Sequence, residues 1–100
     1  MKGYLRAIFM EVRNFIIKSI DRIVQGVKGI TMKYAHDPLT DFHIIEVQPE
    51  SIRRGNDEYM KMEVQLWSDF YSRYPNENLL ISDIDELNDM SNLVYTQMSF

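Results

Sequence analysis

The chain is 100 residues long, 45% hydrophobic and 26% charged, which is the size and composition of one folded domain and excludes a disordered chain. Its net charge is −4, and it contains no cysteine, which excludes disulfide staples, thiol nucleophiles and thiolate metal sites and fits a cytoplasmic location. No apolar run approaches the ~18 residues of a membrane span; Arg6, Glu11 and Arg13 interrupt the N-terminal "MKGYLRAIFMEVRNF", so the sequence reads as unprocessed and soluble.

From Tyr4 to Val24, apolar residues recur at spacings of three and four: Leu5, Ile8, Phe9, Val12, Phe15, Ile16, Ile20, Ile23 and Val24. This is helical periodicity, with Arg6, Arg13, Asn14, Lys18, Asp21, Arg22 and Gln25 on the complementary face. Gly26 stands where a left-handed cap would end the helix. At ~1.5 Å per residue such a helix exceeds ~30 Å, about the whole diameter of a compact domain of this size, so one small sheet cannot cover it: either the helix breaks or its apolar face continues into a second subunit.

After "GVKG" the pattern becomes alternating, with Ile30, Met32 and Tyr34 on one face and Thr31, Lys33 and Ala35 on the other, as in a half-buried strand. A second strand, "FHIIEV", follows "HDPLTDFH", which holds the chain's two histidines. Asp37 suits the first position of a turn, Pro38 the second, and Asp41 tolerates a left-handed backbone, so a loop from Pro38 to Asp41 sets His36 opposite His43, Tyr34 opposite Ile45 and Met32 opposite Val47. That register puts both imidazoles on one face. His36 and His43 with Asp37 and Asp41 are thereby the candidate metal or acid/base residues. The turn reading is preferred, because ligand types without diagnostic spacing carry little weight and both aspartates have a place in the turn.

A second helix is expected from Asn56 or Asp57 to Tyr74, capped by Asn56, with Asp57 and Glu58 at its positive end and Pro75 stopping it. Tyr59, Met60, Val64, Leu66, Trp67, Phe70, Tyr71 and Tyr74 give it a broad apolar and aromatic surface. "NLLIS", residues 78 to 82, reads as a third strand, and Asp83 with Glu86 as a capping pair for a short helix containing Leu87 and Met90. A calcium loop beginning at Asp83 fails, with Asn88 where Gly is needed and Val94 where Glu is needed. "NLVYTQMSF" alternates enough for a fourth strand or a partner-bound extension.

The fold class is therefore α+β in a single domain, residues 1 to 100: long helix, β-hairpin, amphipathic helix, third strand, short helix and possible fourth strand, as two layers with helices on a sheet. Charge is split, because residues 1 to 36 carry seven cations against Glu11 and Asp21, a balance of +5, and the remainder balances at −9. Lys2, Arg6, Arg13, Lys18 and Arg22 could serve nucleic acid or anionic lipid, but the chain is acidic overall and lacks a phosphate loop or an RNA-binding signature, so neither partner is expected. Catalytic elbows, His-Glu-x-x-His pairs and dinucleotide fingerprints are missing from the sequence, and no cofactor is implied. The surplus of apolar surface points instead to a small interaction or regulatory protein that forms a homodimer through Phe9, Phe15, Ile16, Trp67 and Tyr71. The alternative is a metal-dependent or His/Asp-based enzyme centred on residues 36 to 43.

Overall fold

The computed structural model describes residues 2–84 and 87–100, and for residues 2–6 the backbone alone. In chain order the elements are α1 (Lys2–Gly26), β1 (Thr31–His36), β2 (Phe42–Gln48), α2 (Glu50–Gly55), α3 (Asp57–Arg73), β3 (Asn78–Asp83) and β4 (Leu93–Met98). The fold is α+β, with one mixed four-stranded sheet in the order β3-β2-β1-β4. A tight turn makes β1 and β2 antiparallel, whereas the crossover through α2 and α3 makes β2 and β3 parallel.

The hairpin has the register expected from its turn: His36 faces His43, Tyr34 faces Ile45 and Met32 faces Val47. Asp41 takes the left-handed conformation, φ 63°, and Asp37 Oδ1 accepts a hydrogen bond from the Leu39 N–H at 2.9 Å. Because side chains alternate along a strand, this register sends Met32, Tyr34, Ile45 and Val47 to one face, where α1 lays Val12, Ile16, Ile20, Ile23 and Val24 over them and α3 adds Tyr59, Leu66 and Phe70. Each fully buried aliphatic side chain contributes about 1.5–3 kcal/mol of transfer free energy, so this layer is the core that holds the sheet to its helices.

Three details differ from the sequence reading. Gly26 is the last helical residue and not a left-handed cap; α1 carries on because Val27 N–H bonds Ile23 C=O at 3.0 Å, and the positive φ falls at Gly29, 82°. A short helix precedes α3: Pro49 is its N-cap, Glu50 stands in its first turn and Arg53 and Arg54 in its last. The helix expected after β3 is not found among the described residues, since Asp83 ends β3 and residues 87–90 are irregular; the capping partner Glu86 lies outside the described residues.

Asp83 instead faces two guanidinium groups. Arg53 Nη1 donates to Asp83 Oδ1 at 3.0 Å, Arg54 Nη2 donates to Asp83 Oδ2 at 2.7 Å, and Arg53 Nη2 also donates to the Ile81 carbonyl at 2.9 Å. This network ties α2 to the end of β3, and the two hydrogen bonds with their positive charges hold the Asp83 carboxyl below the usual carboxylate range.

β3 and β4 lie at opposite edges of the sheet, and the described residues 87–89 between them cross its outer face beside Ile44 and Leu80. Asn88 Nδ2 donates to Ser82 Oγ at 2.8 Å at the start of that crossing, and Asn92 Nδ2 donates to the His36 carbonyl at 3.1 Å at its end. Ile44 and Ala35, on this outer face, are buried. On the helix side, Tyr95 and Gln97 of β4 both reach Asp21 of α1. At ~1.5 Å per residue the 25 residues of α1 span about 37 Å, against about 20 Å for a six-residue strand, so the helix outruns the sheet. No described helix is long and apolar enough to cross a membrane.

Candidate functional site

Two features of the fold carry chemistry or exposed apolar surface: the histidine pair at the hairpin mouth and the outer flank of α3. The hairpin register brings the imidazoles together, with ring centroids 5.1 Å apart. Phe9 of α1 covers both, at 5.0 Å from His36 and 5.9 Å from His43, and Phe70 of α3 closes the far side of His43 at 6.3 Å. His43 is 1% exposed. Its Nδ1 lies 2.7 Å from the Tyr34 hydroxyl, and its Nε2 lies 3.8 Å from Glu77 Oε2.

Burial decides the protonation states here. It pushes the His43 pKa down to about 4, helped by the neighbouring His36 and opposed by Asp41, so the ring is neutral at pH 7. It also pushes the Tyr34 phenol far above its ordinary value, so Tyr34 keeps its proton. Tyr34 therefore donates to Nδ1, and the His43 proton sits on Nε2, facing Glu77. Burial and the charge of Asp41 raise the Glu77 carboxyl, against the effect of His36. His36 Nε2 meets Asp41 Oδ1 at 2.6 Å, so Asp41 orients one imidazole while Asp37 is committed to the turn.

This arrangement is a polar rim on the core, in which His43 Nδ1 is hydrogen-bonded and Nε2, 3.8 Å from Glu77, makes only a long electrostatic contact. Among the described residues no group of three or more His, Asp or Glu side chains is placed to hold a metal ion. At 1% exposure, between Phe9 and Phe70, His43 is closed to a substrate. A cleft of about 380 Å³, lined by Gly29, Thr31, Val47, Gln48, Pro49, Glu50, Asp83 and Ile84, opens at the carboxyl ends of β2 and β3. His43 lies four residues up β2 from Val47, about 13 Å away at ~3.3 Å per residue, so the imidazoles and this cleft occupy opposite ends of the sheet.

The second feature arises from the spacing of α3. Tyr59, Leu66 and Phe70 turn into the core, which leaves Met60, Val64, Trp67 and Tyr71 in a row on the outer flank at spacings of four, three and four. Val64 is 67% exposed, Met60 43% and Tyr71 37%, and the Trp67 and Tyr71 rings stack at 5.4 Å. The Tyr71 hydroxyl also caps the outward backbone of β3, accepting from Leu79 N–H at 3.0 Å and donating to Leu79 C=O at 3.3 Å.

The five residues expected at an interface thus separate. Trp67 and Tyr71 share the outer row, Tyr71 exposed and Trp67 half-buried against the core, whereas Ile16 is wholly buried in the core, Phe9 seals the histidines, and Phe15 packs on Phe70 and Tyr74 under the Arg73 guanidinium. Sequence reasoning missed Glu77 and the Arg53–Asp83 pairing; for the latter the signal was Pro49 followed by Glu50 and a double arginine before Gly55, the punctuation of a short helix. No family model, curated protein or solved structure matches the chain.

Proposed function

We propose that this chain is a small cytoplasmic interaction protein that self-associates through the outer flank of α3. The observation that carries this reading is the row Met60, Val64, Trp67 and Tyr71, three of them exposed and Trp67 half-buried against the core, which has the 4-3-4 spacing of a helix-pairing seam and no charged side chain within it. An antiparallel copy of α3 would bury the row over three turns, with the rigid Trp67–Tyr71 stack as its anchor. The absence of cysteine supports the compartment. Light scattering coupled to size-exclusion chromatography tests it: the chain elutes as a dimer at micromolar concentration, and Val64→Glu, at an exposed position, weakens association without lowering the melting temperature. A chain that is monomeric at that concentration overturns the reading.

The oriented imidazole of His36 favours a second reading, general-base or metal chemistry at the hairpin. Its metal-dependent form requires that zinc or manganese raise the melting temperature and that His36→Ala remove the shift; no shift with either ion overturns that form.

A further inference from the structure

The two edges of the sheet are treated differently. On β3, the Tyr71 hydroxyl engages the N–H and C=O of Leu79, and the Arg53 guanidinium engages the C=O of Ile81, so side chains occupy the backbone groups that face away from β2. β4 has no such cover among the described residues. Its residues, Leu93 to Met98, include no charge and no proline, the usual guards of a free edge, and its bulge is confined to the end nearest Leu93.

The ladder identifies which groups are free. Ser99 N–H donates to Ile30 C=O at 2.8 Å, and bonded and non-bonded pairs alternate along an antiparallel ladder. Met32–Gln97 and Tyr34–Tyr95 are therefore the bonded pairs, while Lys33–Thr96 and Thr31–Met98 are not. The N–H and C=O of Thr96 and Met98 consequently point outward. Met98 N–H turns to its own neighbour, Gln97 Oε1, at 3.2 Å, as an outward donor does when no strand faces it.

We propose that this edge pairs with β4 of a second copy, antiparallel and centred on Gln97, to make a continuous eight-stranded sheet. The strand is complementary to itself in that register. Thr96 of each copy stands opposite Met98 of the other, so, once Met98 N–H exchanges its own Gln97 Oε1 for the facing strand, the four outward N–H groups meet the four outward C=O groups in four hydrogen bonds. Faces agree as well, because Thr96 and Met98 both lie on the outer face, and a strand without charge does not repel its own copy. The contact lies at the opposite edge of the sheet from the α3 row and is independent of it; at hundreds of micromolar, above the range in which the α3 row gives a dimer, the two together build assemblies larger than a dimer.

Sedimentation velocity in a Val64→Glu background reads the strand contact alone. That chain self-associates with rising concentration, and exchange of the Thr96 amide slows in parallel. Adding Thr96→Lys with Met98→Lys sets like charges opposite each other and weakens association roughly tenfold, whereas Thr96→Lys with Met98→Glu sets opposite charges there and restores it. Both positions are exposed, and thermal melts establish that each variant is folded. A Val64→Glu chain that stays monomeric at hundreds of micromolar with unchanged Thr96 exchange, or two charge pairs that associate alike, overturns the pairing. Failure of the helix seam is seen separately, as association that Val64→Glu leaves untouched and the lysine pair weakens.

Discussion

The Tyr34 hydroxyl donates to Nδ1 of His43 at 2.7 Å inside the rim of the core, and this bond fixes the tautomer of a ring with almost no access to water. A neutral buried imidazole makes stability depend on pH. The folded pKa of about 4 lies below the unfolded value near 6.5, so the unfolded chain binds the proton first as pH falls. The contribution is complete above pH 6.5, declines through the window from 6.5 to 4, and reaches up to about 3 kcal/mol. Denaturant titrations at pH 7, 5.5 and 4 measure the slope, and His43→Asn flattens it. Glu77, raised by burial, titrates in the opposite sense, so the variant identifies the histidine's share.

Tyr34→Phe keeps the ring and removes the donor, leaving Nδ1 buried without a partner. The expected cost is about 1–3 kcal/mol, read as a fall in the denaturation midpoint at pH 7 with an unchanged slope against denaturant.

Arg53→Ala removes the hydrogen bonds to Asp83 and to the Ile81 carbonyl from a side chain 17% exposed. A loss of about 2 kcal/mol is expected, larger than that of Arg54→Ala, whose side chain is 61% exposed and whose ion pair is screened by solvent. Urea melts of the two variants give the order. Because the Asp83 carboxyl is held low, the stability this network supplies is present above the ordinary carboxylate range and is lost as pH falls below it.

Tyr71→Phe removes the hydroxyl that occupies Leu79 N–H and C=O. The variant is expected to lose about 1 kcal/mol and to aggregate faster at elevated temperature, through a β3 edge newly able to accept another strand. Light scattering during a slow thermal ramp distinguishes it from the parent chain.

Gly29 holds φ at 82°, so Gly29→Ala costs about 1–2 kcal/mol by backbone strain, although the space beside it is open enough for a methyl group, with Ile52 Cδ1 3.5 Å from a built Cβ. Gly55→Ala has no atom within 4 Å and serves as the neutral comparison in the same thermal melts.

Much of the architecture was legible because it is written in local periodicities. Spacings of three and four gave α1 and α3, the residues Asp37, Pro38 and Asp41 set the hairpin register, and Asn56 caps α3 through its bond from the Tyr59 N–H at 2.9 Å. What could not be read depends on distant partners. Asp83 looked like a helix cap because capping and salt bridging ask for the same carboxylate, and only the fold brings Arg53 and Arg54 thirty residues forward to claim it. Ile16 and Val64 are both aliphatic residues on amphipathic helices; one is sealed under the sheet and the other is two thirds exposed, a difference made by which neighbours the crossover supplies. The histidine pair was visible as a pair, but its closure by Phe9 and Phe70 required the packing of both helices.

The bond from Tyr95 to Asp21 joins positions 74 residues apart. During synthesis α1 emerges long before the strand that shields its flank, and β1 waits about sixty residues, from Tyr34 to Tyr95, for its second neighbour. Nascent chains halted before Leu93 would therefore display an oily helix side and a bare sheet margin together, which makes β4 the clasp of the domain and the shorter lengths natural clients for chaperones.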